Sequence, residues 1–322
     1  MLRRLALHIP PIRRLWEQRN FLLSRLNVTG EKGSPFFNYA SSFDAIEVMQ
    51  RHSAKSLVPS PEHLTNFLGV KISPDFFPGI LDGRAGQIEE IPIPANFHAD
   101  IAEWAAALRA VDLSRGKFRV IELGCGWGCW LNNTGVAARN SGRDVELIGV
   151  EGDAGHVEFA HRAMADNGFS GEDYRIIHGV AAPADGRALF PAVERAGATW
   201  GSEPILNATE AQRAEAAATG DYVDLPAFAL SSVADGRPVD LLHIDIQGGE
   251  ADFIQSTLTD LNSLVRYVLI GTHSREIEGR LMETLRNAGW QLEMDRAAVI
   301  TILNGVPQIS VDGVQAWRNP RI

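Results

Sequence analysis

The stretch Arg119-Val-Ile-Glu-Leu-Gly-Cys-Gly-Trp-Gly128 decides the fold of this chain. Its apolar residues form a run that is long enough for a buried strand and too short for a helix. Three glycines then follow at alternate positions, Gly124, Gly126 and Gly128. Because glycine carries no Cβ, such a turn lets the backbone approach a ligand closely. A helix is predicted directly afterwards over Trp130–Arg139, and strand, glycine turn and helix together are typical of nucleotide-binding α/β proteins.

Acidic residues distinguish this unit from the dinucleotide-binding motif. Glu122 precedes a Gly-x-Gly-x-Gly turn, whereas dinucleotide folds use Gly-x-Gly-x-x-Gly. An acidic residue beside the turn favours a ligand with a cationic end. A second strand is predicted over Val145–Val150 and leads into Glu151, about 20 residues past the turn, where this class of fold binds ribose hydroxyls. A carboxylate suits that position because it accepts hydrogen bonds from both hydroxyls.

Hydrophobic periodicity predicts an alternation of strands and helices in the rest of the chain. Further strands are predicted at Tyr174–Ala182, Val239–Ile246, Arg266–Ile270, Trp290–Asp295 and Val311–Trp317. Further helices are predicted at Asp100–Val111, Gly155–Asn167, Glu250–Leu261 and Arg275–Ala288. The expected fold is α/β, a Rossmann-like, doubly wound, mostly parallel seven-stranded sheet with an antiparallel end strand. Ligands bind at the carboxyl ends of such strands, where Asp245 and His273 join the two glutamates.

Two regions are predicted to flank this core. Residues 1–95 are expected to form a helical and irregular N-terminal appendage that serves oligomerisation or covers the site at the sheet edge. Short helices are predicted within it at Ser42–His52 and Pro61–Leu68. Residues 96–322 form the main domain, in which the connection 183–238 is too long for a plain crossover. Since long connections are usually functional, this segment is predicted to contact substrate or to act as a lid.

Several of these motifs together resemble one family. The turn after Glu122 resembles motif I of class I S-adenosylmethionine-dependent methyltransferases, and Gly149-Val-Glu151 resembles the ribose-binding end of their second strand. Asp240-Leu-Leu-His-Ile-Asp-Ile-Gln-Gly-Gly-Glu250 resembles the Asp-Leu-(Leu)-Lys-Ile-Asp-Val-Glu-Gly-x-Glu block of the FkbM type. The likeness covers about residues 96–300. His243 stands where that type usually has Lys and Gln247 where it usually has Glu, so no charged role carries over to these two positions.

The resemblance implies S-adenosylmethionine as the cofactor and O-methylation of a hydroxyl on a sugar, glycan or small natural product, as in polysaccharide biosynthesis. The residues that it implies for cofactor binding are Glu122, Gly124, Cys125, Gly126, Trp127, Gly128, Glu151, Gly152, His178, Gly179, Val180 and Asp245. Glu122 and the glycines are assigned to the methionine end, Glu151 to the ribose, and the residues after the third strand to the adenine. His273 and Asp245 are the catalytic candidates, which orient the acceptor or remove its proton during an in-line transfer.

The composition of the chain limits which classes of partner and which cellular location are expected. The formal net charge of −10 predicts that nucleic acid is not a partner and that the substrate is a small molecule or glycan. Cys125 and Cys129 cannot form a disulfide framework, so a reducing, cytoplasmic location is expected. No transmembrane span is predicted. The basic segment 1–32 contains an amphipathic pattern over Ile12–Leu26, which is predicted to pack on its own protein or on a second copy in a homo-oligomer, or else on an anionic membrane face.

Other functions stay open at this stage. A nicotinamide-dependent oxidoreductase or epimerase acting on a nucleotide sugar would, in the short-chain type, need Tyr-x-x-x-Lys, and none of the four tyrosines has Lys four positions later. Nucleic-acid methylation is disfavoured by the acidic charge and by the lack of a Pro-Pro-aromatic motif after the fourth strand. An inactive S-adenosylmethionine-binding scaffold is a further alternative. A divalent metal with Asp245 as a ligand could acidify the acceptor hydroxyl, but no metal-spaced cluster in the sequence supports it.

Overall fold

The computed structural model describes residues 34–197 and 199–322. Within them the strands are β1 (Ala40–Ser41), β2 (Leu64–Thr65), β3 (Lys71–Ile72), β4 (Phe118–Leu123), β5 (Val145–Glu151), β6 (Tyr174–His178), β7 (Val180–Ala181), β8 (Gly186–Pro191), β9 (Ile205–Leu206), β10 (Tyr222–Phe228), β11 (Leu241–Ile244), β12 (Tyr267–Thr272), β13 (Gln291–Arg296), β14 (Val299–Leu303), β15 (Val306–Val311) and β16 (Gly313–Arg318). The α-helices are α1 (Ala45–His52), α2 (Ile101–Leu113), α3 (Cys129–Asn140), α4 (Ala154–Asp166), α5 (Glu210–Thr219), α6 (Leu230–Ala234), α7 (Glu250–Ser256), α8 (Leu258–Leu264) and α9 (Arg275–Asn287).

Eight of these strands form the central sheet, in the order β1-β13-β16-β12-β11-β4-β5-β6. The five strands from β12 to β6 are parallel, and β16 runs antiparallel to both of its neighbours. The prediction of a doubly wound, mostly parallel α/β sheet is confirmed. The predicted number of seven strands is wrong, because β1 pairs antiparallel with β13 and adds an edge strand, with Ala40 opposite Asp295. A strand of two residues is too short to show the alternation that reveals strands in a sequence.

Both faces of the sheet are covered, which buries its central strand completely. Val120 of β4 packs in the same apolar cluster as Trp104 of α2. Ile121 and Leu123 pack instead with Ile254 of α7. Since successive strand residues point to opposite faces, β4 is buried between helices on either side. This burial holds the end of β4 in place, and with it the start of the glycine turn that follows.

Residues 34–95 share the core of the main domain. Met49 of α1 and Phe67 belong to the same buried cluster as Trp104. The rings of Phe67 and Trp104 meet edge to face, with 5.2 Å between their centroids. The hydrophobic core thus continues across residue 95, where the sequence suggested an appendage.

The helix predicted at Pro61–Leu68 is wrong. Residues 64 and 65 form β2, which pairs with β3. The backbone N–H of Thr65 donates to the carbonyl oxygen of Gln87, 2.9 Å away, and so satisfies a partner distant in the chain. The apolar spacing of Leu64, Phe67 and Leu68 imitates a helical face, yet Leu64 is buried from strand β2 and the other two from the turn after it.

Two other predicted elements are each divided in the structure. The strand predicted at Tyr174–Ala182 is interrupted at Gly179, whose N–H donates to the carbonyl of Glu151. The helix predicted at Glu250–Leu261 is divided at Thr257, whose hydroxyl donates to the Phe253 carbonyl at 2.7 Å.

Residues 183–238 are not a plain loop. Together with β7 they form a second sheet, in the order β7-β10-β8-β9. α5 begins with a reciprocal capping box between Thr209 and Gln212. Apolar residues of this sheet, such as Phe190 and Leu225, form a small cluster of their own. The inserted segment is therefore an ordered layer beside the carboxyl ends of the central strands.

A two-stranded hairpin lies near the carboxyl terminus. β14 and β15 pair antiparallel around Asn304 and Gly305, whose φ angles are +53° and +79°. Two successive positive φ angles are the requirement of the tight hairpin turn that Asn-Gly favours.

Predictions about membranes and assembly depend largely on residues 1–32, and the helix predicted at Ile12–Leu26 lies outside the described residues. Among residues 34–197 and 199–322, none of the helices combines the length and the apolar character that a membrane crossing requires.

Candidate active site

A cavity of about 480 Å³ opens at the carboxyl ends of the central strands. Its volume is in the range of small-molecule and cofactor sites. The predicted site residues that line it are Glu122, Gly124, Cys125, Gly126, Trp127, Glu151, Gly152, Gly179, Val180 and Asp245. The predicted residues outside its lining are Gly128, His178 and His273. Ten of the thirteen predicted site residues thus lie in the cavity wall.

The glycine turn adopts a backbone that other residues rarely reach. The φ angles of Gly124, Gly126 and Gly128 are +74°, +54° and +75°. A Cβ on Gly124 would lie 2.0 Å from the backbone carbonyl oxygen of Asp245. The turn after β4 therefore touches the end of β11 directly, and this contact brings the predicted donor and acceptor ends together. Gly128 has a different role, since it is the N-cap residue directly before the first residue of α3.

Glu122 is engaged with the helix that follows the turn. Its carboxylate accepts hydrogen bonds from the N–H groups of Trp130 at 3.2 Å and Leu131 at 3.0 Å. These donors belong to the first turn of α3 and have no partner within the helix. Burial raises the pKa of the Glu122 carboxyl from 4.5 to about 8. The assignment of Glu122 to the methionine end stays a prediction, and its hydrogen bonds show a structural task in joining β4 to α3.

Because of this raised pKa, Glu122 is expected to make stability depend on pH. The folded protein holds the proton of Glu122 more tightly than the unfolded chain does. Its contribution is therefore complete below the unfolded pKa of 4.5 and is lost as the pH rises through the folded pKa of about 8. Between these values we expect the free energy of unfolding to fall more steeply in the wild type than in Glu122→Gln. Urea denaturation at several pH values in this range gives the free energy of unfolding of both proteins. The same pH dependence in the two proteins would contradict a raised pKa for Glu122.

Glu151 connects the end of β5 to the glycine turn. One carboxylate oxygen accepts from the N–H of Gly126 at 2.7 Å, and the other accepts from the N–H of Asp153 at 2.8 Å. Burial raises the pKa of this carboxyl to about 7. Each carboxylate oxygen has a second lone pair, so Glu151 retains the capacity to accept from ribose hydroxyls. Its place in the cavity wall fits the predicted role, which stays a prediction.

An aromatic wall of the cavity was not predicted. The ring of Trp200 stacks on Phe77 at 4.5 Å and on His156 at 4.1 Å between ring centroids. A Cβ on Gly126 would lie 3.0 Å from the Trp200 ring. The N-terminal region and the inserted segment therefore meet over the glycine turn. The only signal in the sequence was a Trp within a long, polar connection.

Asp245, His273 and Glu250 form a chain of contacts at the carboxyl ends of β11 and β12. His273 Nδ1 lies 2.9 Å from Glu250 Oε1, and its Nε2 lies 3.3 Å from Asp245 Oδ1. Burial lowers the pKa of His273, but the hydrogen bond to Glu250 and the charge of Asp245 outweigh it and raise the pKa to about 9. Burial raises the pKa of Asp245 to about 6. Near neutral pH His273 is therefore a cation and Asp245 mainly a carboxylate.

These three residues differ in their access to the cavity. Asp245 lines it, with 41% of its side-chain surface exposed, although protein atoms surround the carboxyl closely enough to raise its pKa. His273 lies behind Asp245 and is 17% exposed, and Glu250 is fully buried. Of the two predicted catalytic residues, Asp245 is the one that can meet a ligand in the cavity.

Two other histidines at strand ends have clear structural positions. His178 is exposed, and its Nε2 lies 3.0 Å from the carbonyl oxygen of Gly152, so its predicted contact with the adenine has no support from its place in the fold. His243 is 3% exposed and lines the cavity opposite Glu122 in the sheet register. Burial lowers the pKa of His243 to about 3, so it is neutral where the resembled motif has Lys.

The cavity wall is acidic. Among its described lining residues none is Lys or Arg, and carboxyl groups are supplied by Glu103, Glu122, Glu151, Asp153, Glu203, Asp245 and Asp252. Burial raises the pKa of Glu103 and of Glu122 to about 8 and so keeps both mainly protonated near neutral pH. The other carboxylates, with no cationic side chain among the described lining residues, favour a cationic ligand over a phosphate-bearing dinucleotide. Together with the glycine turn and Glu151, this wall fits a nucleoside that carries a positively charged sulfonium.

No family model matches the chain. A protein of Jannaschia sp. (strain CCS1), named "Putative methyltransferase", is 46% identical over 272 residues, which are 84% of this chain and 98% of that protein. The chain belongs to the methyltransferase family. The methyltransferase is accordingly an enzyme, and S-adenosylmethionine is its methyl donor.

The comparison with solved structures finds methyltransferases of low similarity. The C-terminal domain of precorrin-6Y C5,15-methyltransferase from Rhodobacter capsulatus is 16% identical, with a TM-score of 0.38. The match covers 69% of this chain and 89% of that structure's chain. Sp1610 of Streptococcus pneumoniae, named "a putative tRNA (m1A22) methyltransferase", is 12% identical, with a TM-score of 0.36. The match covers 66% of this chain and 69% of that structure's chain. These likenesses assign no substrate to the methyltransferase.

The prediction that nucleic acid is excluded as a partner is corrected by this comparison. Sp1610 is named for tRNA methylation. The prediction relied on the net charge of the whole chain, which says little about the charge of one binding surface.

Proposed function

We propose that this methyltransferase is an O-methyltransferase of the FkbM type, which transfers a methyl group to an acceptor hydroxyl beside Asp245. The observation that carries the proposal is the position of the Asp245 carboxyl. It lines the cavity, while the backbone of the same residue touches the glycine turn. A donor on the turn and an acceptor at the Asp245 carboxyl would therefore share one cavity.

The donor end of the cavity is formed by the glycine turn and Glu151. Gly124 and Gly126 allow the positive φ angles of the turn and its close contact with Asp245 and Trp200, and Glu151 supplies acceptors for ribose hydroxyls. The bound donor supplies a methyl group on a positively charged sulfur. The acidic wall stabilises such a cation before transfer, and holding both reactants in one cavity replaces a bimolecular encounter by an oriented one.

Asp245 is proposed as the group that receives the hydroxyl proton, and His273 as a positioning residue. Near neutral pH the Asp245 carboxyl is ionised, because its pKa is about 6. His273, protonated and fixed by the buried Glu250, holds one carboxylate oxygen of Asp245. The acceptor oxygen loses its proton to the carboxylate as it gains the methyl group, and the sulfur keeps the electron pair of the bond that breaks.

The acceptor is proposed to carry a sugar hydroxyl, which is the class that the FkbM resemblance implies. Sugars and glycans present such hydroxyls, and the ribose of RNA presents the same chemistry. A screen with labelled donor should therefore include sugars, glycans and RNA as separate arms. Tight donor binding without methylation of any acceptor in a broad screen would favour the inactive scaffold instead.

Donor binding provides the direct test of the donor end. We expect Glu151→Gln to weaken S-adenosylmethionine binding about tenfold or more in calorimetry, because hydrogen bonds to a charged group contribute about 1.5–3 kcal/mol. Glu172→Gln, at an exposed glutamate, is the matched control and should bind as the wild type does. Unchanged affinity in a folded Glu151→Gln protein would remove Glu151 from the ribose site.

A further inference from the structure

We propose that Asp245, Glu250 and His273 bind a divalent metal ion at the acceptor end of the cavity. One ligand atom from each residue can be chosen so that all three lie within 4.8 Å of one another. His273 Nε2 and Asp245 Oδ1 are 3.3 Å apart. Two ligands of one metal ion, each about 2.1 Å from it and at a right angle, are about 3 Å apart, so the spacing already suits a shared ion.

A buried oxygen without a hydrogen-bond partner gives independent support. Glu250 is 0% exposed. Its Oε1 accepts from the N–H groups of Ile246 at 3.2 Å and Gly248 at 3.0 Å, which fixes the carboxylate in place. Its Oε2 is buried and has no hydrogen-bond partner among the described residues. An unpaired buried carboxylate oxygen is costly, and coordination to a cation would satisfy it.

The local charge favours a cation as well. Asp312 adds to the electrostatic field at His273, Asp245 and Glu250. Among the described residues, the nearby Arg296 forms an ion pair with the buried Asp100. His273 therefore faces several carboxyl groups, and a divalent ion would balance more of their charge than a single imidazolium does.

The types of ligand atom indicate which divalent metal ions would suit the site. Two carboxylates and one imidazole suit Mn²⁺, Fe²⁺ or Zn²⁺, since imidazole is a less usual ligand for Mg²⁺ and Ca²⁺. Binding requires one unprotonated ring nitrogen on His273, so the metal would replace the proton on Nε2, which faces Asp245, while Nδ1 keeps its hydrogen bond to Glu250. The sequence did not reveal this cluster because its members follow two different strands.

The expected role of the ion rests on the proposed function. A divalent ion beside Asp245 would orient the acceptor hydroxyl and lower its pKa, which eases the loss of the proton. The proton would still leave to a carboxylate oxygen of Asp245. The presence of the ion itself does not depend on which acceptor is methylated, so the site can be tested without an acceptor.

Mn²⁺ serves as the probe for the test. The full chain is freed of metal with a chelator and titrated with Mn²⁺, and the loss of the free-ion signal in electron paramagnetic resonance reports binding. We expect one saturable site in the wild type, and about tenfold to hundredfold weaker binding in Asp245→Asn and in His273→Gln. His161→Gln and Asp82→Asn, at an exposed histidine and an exposed aspartate, are the matched controls and should bind as the wild type does.

The two variants lie on different loops, and denaturation curves establish that each is folded. Absence of saturable Mn²⁺ binding by the folded wild type up to millimolar concentrations would overturn the proposal and leave the His273 proton as the charge that balances the carboxylates. Retention of full affinity in both variants would also overturn it, since the ion would then lie elsewhere. Calorimetry with S-adenosylmethionine on the same samples separates this outcome from a failure of the donor site.

Discussion

Gly124→Ala is expected to lose donor binding and about 3 kcal/mol or more of unfolding free energy. Two costs combine at this position. The φ angle of +74° is unfavourable for any residue with a Cβ, and that Cβ would overlap the carbonyl oxygen of Asp245, 2.0 Å away. Since this oxygen belongs to the backbone at the end of β11, a side-chain rotation cannot relieve the overlap. The turn or the strand end must move, and the donor and acceptor ends would separate.

Gly142→Ala is the matched control for this prediction. Gly142 has a φ angle of +78°, and nothing lies within 4 Å of the Cβ it would acquire. It therefore carries the conformational cost alone, about 1 kcal/mol, and should bind donor normally. Urea denaturation and calorimetry with S-adenosylmethionine measure both variants. Equal losses in the two proteins would show that the contact between the turn and Asp245 contributes little.

Asp245→Asn is expected to reduce turnover by about 10²- to 10⁴-fold, the usual contribution of general acid–base catalysis. Asparagine preserves the size of the side chain but cannot accept the hydroxyl proton. Donor affinity should change far less than turnover, because Glu151 and the glycine turn remain intact. Initial rates with labelled S-adenosylmethionine and an acceptor found in the screen measure the first quantity, and calorimetry measures the second.

The same experiment distinguishes Asp245 from His273. Asp82→Asn removes an exposed carboxylate and is expected to leave turnover unchanged. His273→Gln should reduce turnover less than Asp245→Asn does, because His273 acts on the acceptor only through Asp245 and the ion. A larger loss in His273→Gln would reverse the roles of the two residues. Full turnover in Asp245→Asn would exclude Asp245 as the base.

The fold was largely predictable from local patterns. β4 and β11 carry short apolar runs buried on both faces, and the glycine turn follows the first of them directly. Periodicity of this kind is a property of neighbouring residues and so is visible in a sequence. The edge strand β1 and the false helix at Pro61–Leu68 depend instead on pairing with distant residues, namely Asp295 and Gln87.

The candidate site was predictable where a single turn or strand end supplies it. Glu151 and Asp245 line the cavity as the spacing predicted. Trp200 was missed, because it reaches the glycine turn from the inserted segment and stacks on residues of two other regions. The relation of Asp245 to His273 was also open, since both follow parallel strands and only side-chain packing decides which one faces the cavity.

The sequence alone determined that this chain forms a doubly wound α/β sheet, and its motifs indicated a sulfonium-bearing nucleoside at the glycine turn. Both follow from local causes, namely apolar runs, glycines that must adopt positive φ angles, and acids at strand ends. The tertiary structure alone decided that Asp245 faces the cavity while His273 lies behind it, and that Glu250 completes a cluster suited to a metal ion. These relations join side chains from different strands, and their distances are set by the packing of the whole sheet.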